Sequence, residues 1–174
     1  MKRVAILMAV LALAAACDDD SPTTPSQTGP IVFTAQLSAA NEAPPITNAE
    51  STARGTTTIT FNVPRDSNGN PSGGGTVTFG IQLNSFPTTS AAVIAAHIHP
   101  GAAGANGSPL IDTRVSQATP LVLTNGAVNI SITVDISQAN AASIYAAPQN
   151  FYFNVHTPLN TGGAARGQLA LNLQ

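Results

Sequence analysis

Three histidines stand in the 174-residue chain, and two of them are one residue apart. His97 and His99 belong to "VIAAHIH" (93–99), which runs into the glycine-rich "PGAAGANGSP" (100–109). His156 closes "NFYFNVH" (150–156). On an extended strand, residues i and i+2 point to the same face. Ile94, Ala96 and Ile98 then make an apolar face, and His97 and His99 share the other. In the second segment Phe151, Phe153 and Val155 are apolar, and Tyr152, Asn154 and His156 oppose them. All three imidazoles are therefore expected on faces turned away from the core. Two of them on one strand, about 7 Å apart at Cα, can converge on one ion, and a third from a neighbouring strand completes a three-nitrogen set. Imidazole suits copper, zinc or iron better than calcium or magnesium. A blue-copper site is excluded, because the domain has neither methionine nor cysteine. The bland alternative is three polar side chains that only hydrogen-bond nearby loops.

Other chemistry has little support. Glu42, Asp112 and Asp135 show no paired spacing that argues for hydrolysis. No nucleophile motif surrounds any serine. Charged residues are only 8% of the chain, against a usual quarter. Past residue 17 the cations are Arg54, Arg65, Arg114 and Arg166, and eight carboxylates oppose them, a net charge of −4. No basic patch exists to neutralise phosphates, which argues against nucleic acid as a partner. A surface rich in Thr, Asn and Ser fits a protein or glycan contact instead.

Strands must position the histidines, and the chain from Ile31 onward has a period of two. "IVFTAQLS" (31–38), "GTTTITFNV" (55–63), "TVTFGIQLNSF" (76–86), "VIAAHIH" (93–99), "PLIDTRV" (109–115), "GAVNISITVDI" (126–136), "NFYFNVH" (150–156) and "GQLALNL" (167–173) read as strands bounded by Gly, Pro or Asn. One helix is expected over 137–147, with Ser137 as N-cap and Pro148 beyond its end. The fold class is all-β: an antiparallel β-sandwich or flattened Greek-key barrel of about eight strands.

Residues 1–16 read as a signal peptide. Met1-Lys2-Arg3 is a positive start, and "VAILMAVLALAAA" (4–16) is an apolar run of 13, too short to span a bilayer. Cys17, the only cysteine, follows at once. "LALAAAC" resembles the lipobox of bacterial lipoproteins, with Ala14 where leucine is more common. That resemblance implies acylation of Cys17, attachment to a membrane and a place in the bacterial cell envelope, periplasmic or at the cell surface. Cleavage without acylation would give a secreted protein. Residues 17–30, with "DDDSPTTPSQTGP" after the cysteine, read as an extended tether. The domain occupies 31–174.

Three blocks of that domain carry a family likeness. They are "FTAQLSAANEAPPITNAESTARGTTTITF" (33–61), "AAHIHPGAAGANGSPLI" (95–111) and "FYFNVHTPLNTGGAARGQL" (151–169). In this order they resemble the CHRD domain, named after chordin and common in bacterial secreted proteins. Its marks are Asn41-Glu42 with Pro44-Pro45, His97-Ile98-His99, Asn154-Val155-His156-Thr157 and Arg166-Gly167-Gln168. Ala43 and Ala164-Ala165 depart from the pattern. The order of HxH, a later Val-His and a glycine-rich loop with an arginine is also similar to Cu/Zn superoxide dismutase. That likeness implies His97, His99 and His156 as copper ligands and Arg166 as a charge that attracts an anion. A fourth, bridging histidine and a cysteine pair are missing, so it implies a mononuclear site. Copper is favoured over zinc on this ground. The readings carried forward are a lipid-anchored metal-binding domain, a non-catalytic protein- or glycan-binding module, and a superoxide dismutase-like oxidoreductase.

Overall fold

The computed structural model describes residues 29–172. The expected leader, Cys17 and most of the tether lie outside the described residues. Among the described residues ten strands form: β1 (Ile31–Ser38), β2 (Arg54–Asn62), β3 (Gly75–Asn84), β4 (Ala92–Val93), β5 (Ala95–Pro100), β6 (Ile111–Asp112), β7 (Leu121–Val122), β8 (Val128–Ile136), β9 (Phe151–His156) and β10 (Ala165–Leu171). The helix α1 (Gln138–Ala146) is capped by Ser137, whose side chain accepts from Asn140 N, as its sequence predicts.

Eight strands make one antiparallel sheet in the order β6-β5-β9-β10-β1-β2-β3-β8. The sheet curls until it nearly closes into a barrel. Phe79 of β3 and Phe153 of β9 are four places apart in the sheet, yet their rings stack at 5.5 Å across the interior. Alternation supplies that interior. Phe33, Ile59, Phe61, Val77, Phe79, Ile81, Ile98, Phe153 and Val155 are fully buried, and each stands at an apolar position of its strand. Burial of such side chains is the main favourable term in folding.

Two expected strands are shorter than their patterns. "PLIDTRV" keeps only Ile111–Asp112, because Arg114 takes a left-handed φ of 67° that ends the extended run. "VIAAHIH" is split, and its first part pairs with β7 in a separate two-stranded sheet. The opening of the barrel lies between β6 and β8, where Arg114 reaches Asp135 at 3.9 Å.

Candidate metal centre

β9 lies between β5 and β10, and the register lines up their outward-facing residues in rows. Asp112, His97, Asn154, Arg166 and Ser38 form one row across five strands, and His99 faces Tyr152 in the next. His156 stands opposite Ala95, diagonal to His97. The inner neighbours Ile98 and Val155 are fully buried, so the expected register holds. The outer face, however, is not open to water. His99 and His156 are buried, and every residue of β9 is buried. Two loops roof this face: residues 101–108 after β5, and residues 157–163 after β9.

Each loop fixes one ring. His99 Nδ1 lies 2.8 Å from the carbonyl oxygen of Gly107, and His156 Nδ1 lies 2.9 Å from that of Thr161. A carbonyl only accepts, so both Nδ1 atoms donate and both Nε2 atoms carry a lone pair. His99 Nε2 is buried with no hydrogen-bond partner. His156 Nε2 meets His97 Nδ1 at 3.2 Å and Asn154 Oδ1 at 3.1 Å. One ring nitrogen from each histidine thus falls within 4.8 Å of the other two. His97 presents Nδ1 to the cluster, and its Nε2 lies 3.7 Å from Asp112 Oδ1. A ligating histidine that turns its other nitrogen to a carboxylate or a carbonyl is the usual outer support of a metal site. His99 and His156 have that support as hydrogen bonds, and His97 faces the Asp112 carboxylate at ion-pair range.

The cluster is rich in acceptors and poor in donors. Nitrogens held 2.0–2.1 Å from one ion stand roughly 3.3 Å apart, so a small contraction would close the set on a cation. Burial pushes all three imidazoles below their ordinary range. For His97, the Asp112 carboxylate opposes that shift and the neighbouring His99 adds to it. For His99, the carbonyl of Gly107 is the main opposing influence. His156 falls to about 4, chiefly from burial, with the Thr161 carbonyl opposing and the other two rings adding. All three rings therefore keep the neutral state a metal needs to a lower pH than a free imidazole does, His156 furthest. His97 is the most open, with 15% of its side chain accessible beside the exposed Asp112, so access runs from the β6 side.

The dismutase likeness implies Arg166 as an anion-attracting charge beside the histidines. Its side chain is 1% exposed. Its guanidinium donates to Ala105 O, Asn106 Oδ1, Ala102 O and Gln168 Oε1 at 3.1–3.2 Å. It also lies 3.7 Å above the Tyr152 ring, and Tyr152 in turn stacks on His99 at 4.9 Å. A guanidinium committed to loop carbonyls and a ring face has little left for a free anion.

Asn154, two residues from His156, is on the face the strand pattern gives it, while two participants escape a reading of sequence alone: Asp112, and Glu50, whose carboxylate accepts from Thr157 and Asn160 in the loop after β9. Asp112 is found only through the β5–β6 register, which a two-residue strand does not advertise.

Copper, zinc and other ions that favour imidazole share the same three-nitrogen requirement, so the geometry sets the ligand class and leaves the element open. No curated protein and no solved structure matches the chain. A family model described as the CHRD domain matches residues 33–169, a span that contains most of β1, all three histidines and Arg166, and the chain belongs to the CHRD family.

Proposed function

We propose that this CHRD domain binds a single divalent transition ion, copper in preference to zinc, through His97 Nδ1, His99 Nε2 and His156 Nε2. One observation carries the reading: His99 Nε2 is buried with no hydrogen-bond partner, in a ring with a nitrogen within 4.8 Å of one on each of the other two histidines. An orphaned buried acceptor costs on the order of 1–3 kcal/mol, and a bound cation removes that cost. Three neutral imidazoles leave a further position for water or a small anion. The committed guanidinium of Arg166 speaks for ion binding rather than for dismutase-type anion guidance. The test is titration of untagged, metal-free protein with Cu(II) and Zn(II) at pH 7.5, beside His97→Ala/His99→Ala. Wild type should take up one equivalent and the double variant none. Equal weak binding by both would remove the site.

A binding or adhesion module is the second reading. A groove of about 850 Å³ supports it, lined by Gln36, Asn41, Pro44, Asn106 and Gln168. It is uncharged along most of its wall, which suits a protein or glycan partner. In either case we place the domain in the bacterial cell envelope, lipid-anchored through Cys17. Detergent partitioning of cell extracts tests this. Wild type should enter the detergent phase and Cys17→Ser should not, and wild type in the aqueous phase would mean simple secretion.

A further inference from the structure

Two charges of opposite sign are buried beside the histidine loops, and neither pairs with the other. Glu50 is 1% exposed and has no cation within ion-pair distance among the described residues. Its carboxylate accepts from Ser90 Oγ, Thr157 Oγ1 and Asn160 Nδ2, each at 2.6 Å. Thr157 and Asn160 belong to the 157–163 turn. They also bond each other, through Asn160 N to Thr157 Oγ1 at 3.1 Å and Thr157 N to Asn160 O at 3.3 Å. The next residue, Thr161, offers the carbonyl that holds His156. Arg166 is the counterpart. Three of its four donated bonds go to Ala102, Ala105 and Asn106, and the next residue, Gly107, offers the carbonyl that holds His99.

We propose that Glu50 and Arg166 are positioning residues of the three-histidine centre, each fixing the tautomer and direction of one Nε2 ligand through one loop. A buried charge is costly unless strong hydrogen bonds compensate it; Arg166 also has the buried carboxyl of Glu42 in its field. Here those bonds run to the loops whose carbonyls set the two rings. A neutral side chain could fill either space, but it would leave the loop backbone less tightly placed. The two devices share no partner, so they act independently, Glu50 on His156 and Arg166 on His99. The functional meaning rests on the metal-binding reading; the effect on the rings does not need a metal.

The experiment is nitrogen-15 NMR of the histidine side chains in the metal-free full domain, followed by Cu(II) titration. In wild type, His99 and His156 should both be protonated at Nδ1. Glu50→Gln should shift His156 toward a tautomer mixture and leave His99 unchanged, and Arg166→Lys should do the reverse. Each should lower Cu(II) affinity about 10–100-fold, the range for lost outer support. Ser90→Ala removes a Glu50 bond outside the turn and should move neither ring. If a charge variant does not fold, Asn160→Ala and Asn106→Ala remove one loop-side bond each and should show the same separation. Equal responses of both rings to either variant, or no response, would overturn the proposal. The expected ring pattern in a wild type that binds neither Cu(II) nor Zn(II) would uphold the positioning and defeat the metal reading alone.

Discussion

Gly107 holds His99 Nδ1 with its carbonyl oxygen at 2.8 Å, and it does so at a position that admits no side chain. A Cβ there would overlap the carbonyl oxygen of Pro100. The close approach lets the loop after β5 fold back over the strand it has just left. Its glycine therefore bears directly on the direction of a histidine ring.

Gly107→Ala should push the loop outward and take the carbonyl away from His99. Cu(II) affinity should fall about 10–100-fold, and the melting temperature should drop. Gly162→Ala is the control, because its Cβ would meet nothing within 4 Å. It should leave affinity unchanged. Calorimetric titration of the two variants beside wild type checks both statements, and equal affinities would show that the Gly107 contact is dispensable.

Glu42 is the second buried carboxyl near the centre, and Gly163 gives it room: a Cβ at 163 would come within 2.6 Å of its Oε1. Burial raises its pKa to about 7, against the opposing pull of Arg166 and a hydrogen bond from Asn154. A raised folded pKa means that the folded state binds more protons than the unfolded state between 4.5 and about 7. The stability this contributes is full below pH 4.5 and is lost as pH rises through 7. Glu42→Gln removes that dependence. Measured by urea unfolding, the variant should gain on wild type by on the order of 3 kcal/mol between pH 5 and pH 8. A constant difference across that range would mean that Glu42 keeps an ordinary pKa in the fold.

The strand register can be tested by paired truncations. Ile98 is fully buried in the barrel, and Ile98→Ala should cost about 2–4 kcal/mol. His97→Ala should cost little, because that ring is the most open of the three. His99→Ala should fall between them, at roughly 1–2 kcal/mol, since the ring is buried, stacked on Tyr152 and bonded to Gly107. Denaturant unfolding of the metal-free variants gives the order, and a cheap Ile98→Ala would invert the two faces.

The assignment of faces was legible because strand alternation is local: "VIAAHIH" and "FYFNVH" each state which residues share a side. What covers those sides was not legible. The outer face of β5 and β9 is roofed by loops held from far along the chain, one by Arg166 and the other by Glu50. The same distance hides the surroundings of Arg166: β10 places it beside β9, where the carbonyls of Ala102 and Ala105 accept from it. The two-residue strands β4, β6 and β7 have too few positions to show a period. Their pairing is settled by neighbours that local sequence does not contain.

Acid should separate the metal-bound from the metal-free protein. From the ordinary histidine value alone, metal affinity would decline near pH 6.5. Burial lowers all three ligands, His156 to about 4, so protons compete only at lower pH. The fall in affinity should therefore lie at lower pH than 6.5, with His156 the last ligand to protonate. Stability follows the same sign. Between pH 6.5 and about 4 the unfolded chain takes up a proton at His156 that the folded chain refuses, so the His156 share of stability is lost as pH falls, opposite in sign to the share of Glu42. The loss from His156 is on the order of 3 kcal/mol. In a Glu42→Gln background, which takes away the opposing share, His156→Gln removes that group and should flatten the fall, leaving the smaller shares of His97 and His99. Bound Cu(II) stabilises the folded state by mass action at neutral pH, and this gain should vanish as the ligands protonate. Thermal melts of wild type and variant from pH 4 to pH 8, with and without Cu(II), test each part. A metal-dependent gain that persists at pH 4 would place the ion on ligands other than these histidines.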